Sequence, residues 1–323
     1  MTGHSWFPAN TDLSLPAMDP RPLKKRIKYT LIYWALRFMI FISNLMPRTW
    51  WLAFFGWLGK ISYRIASQTR DKMIYHLGMA YGKEMSSREI VTLSKKVFAM
   101  IGKNAGDVLR SIRINSLEDL NKFLVTEGME NFEKAKAKGK GVIFLTCHLG
   151  AFDLQITNMA LRGLKPNIIG TALQDPRLND LLWKYRNAYG AVAIERGKET
   201  LRLFKALKLG GSIAILIDQD TKVKSRFVNF FGMTAATPVG AAILALKTGA
   251  AVVPTYIYLG DDNLQHMHVL PEIELVMSGD EEKDMVANTQ NYTNFIEDVI
   301  RAHPEQWVWM HERWKTRPGE EVR

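Results

Sequence analysis

Cysteine is almost absent from this chain: Cys147 is the single one in 323 residues. One thiol excludes an internal disulfide framework and supplies too few thiolates for a zinc-ribbon site, as in a reducing compartment. Internal repeats and low-complexity tracts are missing as well. A phosphate loop is also lacking, because KAKAKGKG (134–141) does not have the Walker spacing and reads as a solvated helix end. Acidic residues are the minority charge, 32 Asp and Glu against 43 Lys and Arg, for a net charge of +11 and a pI near 9.6. That balance favours acidic partners: nucleic acid, phospholipid surfaces or phosphorylated substrates. No cofactor and no metal is expected.

An uninterrupted spanning segment is lacking too. The apolar run YTLIYWALRFMIFISNLM (29–46) is about as long as a spanning helix requires, but Arg37 sits near its middle. An unpaired charge there costs about 2.5–3.5 kcal/mol on insertion scales. Small residues for signal cleavage do not follow it. What is present is the basic cluster Lys24, Lys25, Arg26 and Lys28 before the run, and a second apolar stretch, WWLAFFGWLGKI, after Pro47. Together they predict membrane-anchoring apolar helices over 24–70, either a hairpin or helices in the membrane plane. A polar leader (1–23) precedes them, and a catalytic domain (71–323) follows. A buried helical hairpin of a soluble protein would have a similar pattern.

Ile90, Leu93, Val97, Met100 and Ile101 fall on one face of a helix over about 88–111. Beyond it, short β-rich runs at 141–147, 166–171, 191–195, 212–218, 251–259 and 267–275 alternate with helix-like segments at 176–190, 198–209 and 238–249. The last opens with Thr237 as N-cap and Pro238 at the first helical position. The alternation predicts an α/β fold, a sheet layered between helices, with its site at the carboxyl ends of the strands.

His148 stands where such a site belongs, after the apolar strand GVIFLTC and before Gly150, and Asp153 falls in the first turn of the next helix. Asp153 is expected to hold one imidazole nitrogen as N–H, freeing the other to take a proton from an attacking hydroxyl. None of the other six histidines has an acid five residues on. Cys147 and His148 would point to opposite faces of a strand, a poor nucleophile–base pair. Glu127 and Asp218 also end apolar runs. Glu127 reads as a strand-end group near His148 or a solvated turn carboxylate, and Asp218 as a partner supporting the site or an N-cap. Phe227, Phe230 and Phe231 form a greasy loop or ordinary core. Trp307, Met310, His311 and Trp314 have the spacing of one helical face, covering the site or packed in the core.

With HLGAFDL in place, the chain resembles the lysophospholipid acyltransferase superfamily, whose hallmark is a His, four residues, then an acid. AIERGKETLRLFKALKLGGSIAILIDQD (193–220), NFFGMTAATPVGAAILALKTGAAVVPTYIY (229–258) and PEQWVWMHERWKTRP (304–318) narrow the resemblance to the lipid A biosynthesis lauroyl/myristoyl acyltransferases. Ala151-Phe152 departs from the Asn-Trp pair, and Asp153 from the Glu, that many relatives carry. The resemblance implies a mixed sheet of the glycerol-3-phosphate acyltransferase-like fold. It also implies transfer of an acyl group from acyl carrier protein to a hydroxyl of a lipid A precursor, at the cytoplasmic face of a bacterial inner membrane, without nucleic acid. It places Arg196 near a block that contacts substrate phosphate, where a surface cation is an equal reading. Amides around Gly150 are candidates for an oxyanion site. Transfer to a glycerophospholipid or other glycolipid, thioester hydrolysis by the same pair, and a non-catalytic basic adaptor stay open.

Overall fold

The computed structural model describes residues 21–195 and 200–320. Four helices come first: α1 (Leu23–Ile42), α2 (Arg48–Ile65), α3 (Ser67–Tyr81) and α4 (Ser87–Ser111). Pro47 ends one apolar stretch and starts α2. A capping box at Ser86 and Glu89 starts α4, each side chain bonding the other's backbone amide. Helices α2 and α4 pack closely because glycines face the contact: a Cβ on Gly59 would lie 2.2 Å from the Phe98 carbonyl oxygen. Among the described residues no helix is long and apolar enough to cross a membrane.

The α/β body follows: α5 (Leu117–Asn121), β1 (Leu124–Glu127), α6 (Met129–Ala137), β2 (Val142–Thr146), α7 (Asp153–Leu161), β3 (Asn167–Gly170), α8 (Pro176–Arg186), β4 (Val192–Glu195), α9 (Thr200–Lys208) and β5 (Ser212–Leu216). Then come β6 (Ser225–Phe230), β7 (Met233–Pro238), α10 (Gly240–Thr248), β8 (Ala251–Leu259), β9 (Gln265–Val269) and α11 (Glu281–Ala302). Seven strands form one sheet in the order β1-β9-β8-β2-β5-β3-β4. The five from β8 to β4 are parallel, while β9 runs antiparallel to β8 and carries β1 with it. The expected mixed α/β sheet between helices is therefore present. All five residues of β2 are buried, as a central strand covered on both faces requires.

Three local expectations differ from the structure. Thr237 and Pro238 close strand β7, and α10 begins at Gly240. The segment 229–238 is part of a two-stranded hairpin, β6–β7, whose turn is Phe231-Gly232 at φ 54° and 71°. Positive φ at both turn residues matches the twist of a tight hairpin. The Trp307–Trp314 segment is irregular after a short 3₁₀ turn at 304–306, so the helical spacing of its aromatics is coincidental. Trp307, Trp309 and Trp314 are buried in the core, as are Phe230 and Phe231.

A buried polar network fastens that segment. The Gln306 side chain pairs with the backbone of Leu259 at 2.8 Å in both directions. Asn104 on α4 donates to Gln306, and Gln265 donates to Asn104 and to Asp107. Arg48 on α2 grips the buried Asp107 through two hydrogen bonds of 2.9 and 2.7 Å. The helices at the start of the chain are thereby tied to Gln306, one residue before Trp307.

Candidate active site

Strands β2 and β5 are paired in register, Thr146 opposite Leu216, and each chain continues two residues to a polar side chain. Those residues are His148 and Asp218, side by side beyond the carboxyl ends of two central strands. His148 Nδ1 lies 2.8 Å from Asp218 Oδ1, and the His148 backbone N–H donates to Oδ2 at 2.8 Å. Trp307 Nε1–H donates to the same Oδ2 at 2.8 Å. Asp218 is buried; burial alone would raise its pKa, but the His148 imidazole and the hydrogen bonds from His148 and Trp307 outweigh it and pull the value down to about 2. An ionised carboxylate accepts at Nδ1, so Nδ1 carries the hydrogen and Nε2 is the nitrogen left for chemistry.

This arrangement corrects one sequence expectation. Asp153 makes no hydrogen bond or ion pair with His148; its Oδ1 accepts from Arg186 Nε at 3.2 Å and Nη2 at 3.0 Å. The reason lies in the turn between β2 and α7. Gly150 sits at φ 61°, and its N–H is held by the Gln306 carbonyl at 2.9 Å. A Cβ there would come within 2.2 Å of the Ile257 oxygen, so only glycine fits. The turn sends α7 off with Asp153 facing α8 and leaves the imidazole to β5. It also removes the Gly150 amide from the candidate oxyanion donors, because that hydrogen is already bonded.

His148 is 24% exposed, and what it faces is a pocket of about 290 Å³. Phe144, Phe152, Ile156, Met159, Ile168 and Leu182 make most of its wall apolar, and Asp153, Arg186 and Gln219 add polar groups. The Phe152 ring stands edge-on to the imidazole at 4.9 Å, fixing its tilt. A histidine at the rim of a small, mostly apolar cavity suits an acyl ester or thioester more than a sugar or nucleotide. Cys147, one residue away, is buried, and its thiol is pushed well above the ordinary range by burial and then by the Asp218 charge. It is inert packing.

A family model of bacterial lipid A biosynthesis acyltransferases matches residues 21–316. The chain belongs to that family. It is an acyltransferase, and the resemblance read from its motifs holds across the chain. A lipid A biosynthesis acyltransferase of Haemophilus influenzae is 27% identical over 307 residues, covering 87% of this chain and 92% of that protein. The lipid A biosynthesis lauroyltransferase of Escherichia coli is 25% identical over 309 residues, 86% of this chain and 96% of the other. A phosphatidylinositol mannoside acyltransferase of Mycobacterium tuberculosis is 26% identical over 195 residues, 59% of this chain and 60% of the other.

The remaining candidates of the acyltransferase are dispersed. Glu127 is exposed at the end of β1, three strands from β2, roughly 14 Å at ordinary strand spacing. It pairs with His268 Nδ1 at 3.4 Å. Arg196 lies outside the described residues. Two residues escaped the sequence reading as site members. Arg186 lines the pocket and holds Asp153; a cation near the end of an amphipathic helix carries no signal of its own. Trp307 was visible only as one of several aromatics, and its indole donor finds Asp218 through a fold contact 89 residues apart. Arg313, fully buried beneath the site, donates to the Ala236 oxygen at 2.6 Å and to Thr237 Oγ1. Burial lowers its pKa to about 10 against the opposing pull of Asp218 and Asp220, and it remains a cation near the carboxylates. Among the described residues no group of His, Cys, Asp and Glu could hold a metal ion.

Proposed function

We propose that this acyltransferase moves a fatty acyl chain of the lauroyl/myristoyl class from acyl carrier protein to a hydroxyl of a lipid A precursor. His148 Nε2 removes the hydroxyl proton as the oxygen attacks the thioester carbonyl carbon. The same proton then passes to the departing thiolate, and the C–S bond is replaced by a C–O bond. Asp218 holds the imidazole in the required tautomer and stabilises its transient positive charge. General-base assistance of this kind typically contributes about 10²–10⁴-fold. Asp153 takes part by holding Arg186 at the pocket wall, where the guanidinium faces the charge that develops on the carbonyl oxygen. The observation that carries the reading is His148, with a buried ionised partner, opening on an apolar pocket in a chain of this family.

Attachment to the membrane follows from α1. Leu23, Ile27, Leu31, Trp34, Phe38 and Phe41 recur every three or four residues, and each is more than half exposed. Trp50 and Trp57 of α2 are exposed too, and Lys24, Lys25, Arg26 and Lys28 flank the stripe. A helix that cannot span and shows an apolar stripe beside a basic cluster lies in the interfacial plane. The anchor of residues 24–70 is then an in-plane device on the cytoplasmic face of the inner membrane, carrying the catalytic body from residue 71 onward.

A second reading is kept because of the mycobacterial relative, whose name puts its acceptor among the phosphatidylinositol mannosides. The test is mass spectrometry of products from the purified chain with acyl-loaded carrier protein and, in turn, a lipid A precursor, a lysophospholipid and a phosphatidylinositol mannoside. The proposal expects a mass gain of one acyl chain on the lipid A precursor. Transfer only to another acceptor contradicts it, and free fatty acid at the full rate without acceptor makes the protein a thioesterase.

A further inference from the structure

Helix α8 separates two cavities. Leu182 and Arg186 line the His148 pocket, while Arg177, Leu181, Lys184 and Tyr185 line a larger groove of about 980 Å³ on its other side. The far wall of that groove is α1 together with the end of α4. Its charged lining is one-sided: Arg37, Arg113, Arg177 and Lys184 against Asp180. Arg177 is partly committed, since it pairs with the buried Asp175 at 3.1 Å and donates to Thr30 Oγ1 at 3.1 Å. Arg113 donates to the Phe41 carbonyl at 2.9 Å. Among the described residues Arg37 makes one side-chain hydrogen bond, Nη1–H to Tyr33 Oη at 2.9 Å, and both Arg37 and Arg177 lie over the Tyr33 ring, at 5.7 and 5.2 Å from its centroid. Tyr33 thus holds two guanidinium groups near one another by cation–π contact, and both residues line the groove.

A mid-helix arginine in an apolar run is unfavourable for insertion, yet here it has a place: it stands on the face of α1 adjoining the exposed apolar stripe, above a cavity. Clustered guanidinium groups beside a lipid-facing helix suit a phosphate borne by an amphiphile, because Arg forks match phosphate oxygens and the bilayer side is apolar. The shared wall decides between sources. A molecule with its phosphate in the groove has α8 between that phosphate and His148, which favours the acceptor over a bilayer headgroup.

We propose that this groove is the subsite for a phosphomonoester of the acceptor lipid, with Arg37 and Arg177 among its ligands and α8 setting the distance from phosphate to reacting hydroxyl. The proposal rests on the reading of the protein as a lipid A precursor acyltransferase. The experiment compares wild type with Arg37→Gln and the double variant Arg37→Gln/Arg177→Gln on one lipid A precursor, intact and after phosphatase treatment, reading KM and kcat for each. The wild type should prefer the phosphorylated form, and the double variant should lose roughly ten-fold or more of that preference through KM, as expected for lost charged hydrogen bonds. Preference unchanged in the variants, or an equal loss on both acceptors, overturns it. Sedimentation with phosphatidylglycerol and phosphatidylcholine vesicles separates the other source. If the variants lose binding to anionic vesicles while keeping acceptor preference, the cluster reads bilayer headgroups and the acceptor assignment fails. Transfer to neither form by the wild type would instead overturn the functional reading itself.

Discussion

Asp218 receives two hydrogen bonds from one residue, His148, through its backbone N–H and its imidazole Nδ1, each at 2.8 Å. The pair follows from β2 and β5 lying in register and ending together. The carboxylate thereby fixes where the histidine backbone sits as well as how its ring is turned. Asp218→Asn keeps the shape but removes the charge and offers the wrong pattern of donors. Transfer kinetics should show kcat reduced on the order of 10²–10⁴-fold with KM little changed.

Acid should expose the same interaction. The folded-state pKa of Asp218, about 2, lies below its ordinary value of 3.8, so the ionised group favours the folded form above the ordinary value. That contribution is lost as pH falls through this window. Denaturant melts of wild type and Asp218→Asn should differ most near neutrality and converge as pH approaches 2. A gap that widens in acid contradicts the account.

Trp307→Phe removes the indole donor to Asp218 while retaining an aromatic ring in a fully buried site. Leaving that carboxylate oxygen one partner short costs about 1–3 kcal/mol of stability. Denaturant unfolding measures it, and the fall in kcat should be smaller than for Asp218→Asn, because Nδ1 keeps its acceptor.

At Gly150 the cost is steric. Gly150→Ala places a Cβ against the Ile257 carbonyl at a positive φ. The left-handed backbone alone costs roughly 1–2 kcal/mol, and the clash adds to it. A lowered unfolding midpoint together with lost transfer is expected; a variant as stable and active as wild type would show that the turn is not constrained.

The α1 stripe predicts a membrane phenotype without a folding one. Leu31→Glu with Phe38→Glu alters two exposed residues. Each buried apolar side chain is worth about 1.5–3 kcal/mol, so vesicle affinity should drop ten-fold or more while the unfolding midpoint holds.

What could be read from the chain, and what could not, divides along physical lines. His148 was legible because a buried parallel strand writes itself as an unbroken apolar run, and the residue after it must emerge at the site. Asp218 was legible as a strand end for the same reason. Its partnership with His148 was not, because strand order and register are set by tertiary pairing 70 residues apart, whereas Asp153 stands five residues from the histidine and invites a local reading. The hairpin turn was hidden by its residues: Phe231 at positive φ replaces the Asn or Gly that would announce it. At the end of the chain, Trp307, Met310, His311 and Trp314 imitate a helical period, while backbone contacts to Leu149 and burial of the tryptophans dictate an extended, irregular path. Arg37 read as an obstacle to spanning, and in the fold it belongs to α1, which is not long and apolar enough to cross a membrane.

The central claim is that His148 and Asp218 act as one unit in acyl transfer. Single-turnover transfer from acyl-loaded carrier protein to the lipid A precursor, measured for His148→Ala, Asp218→Asn and the double variant, tests it most directly. A unit predicts that the double variant is scarcely slower than His148→Ala alone. Losses that multiply, or full activity in Asp218→Asn, would contradict it.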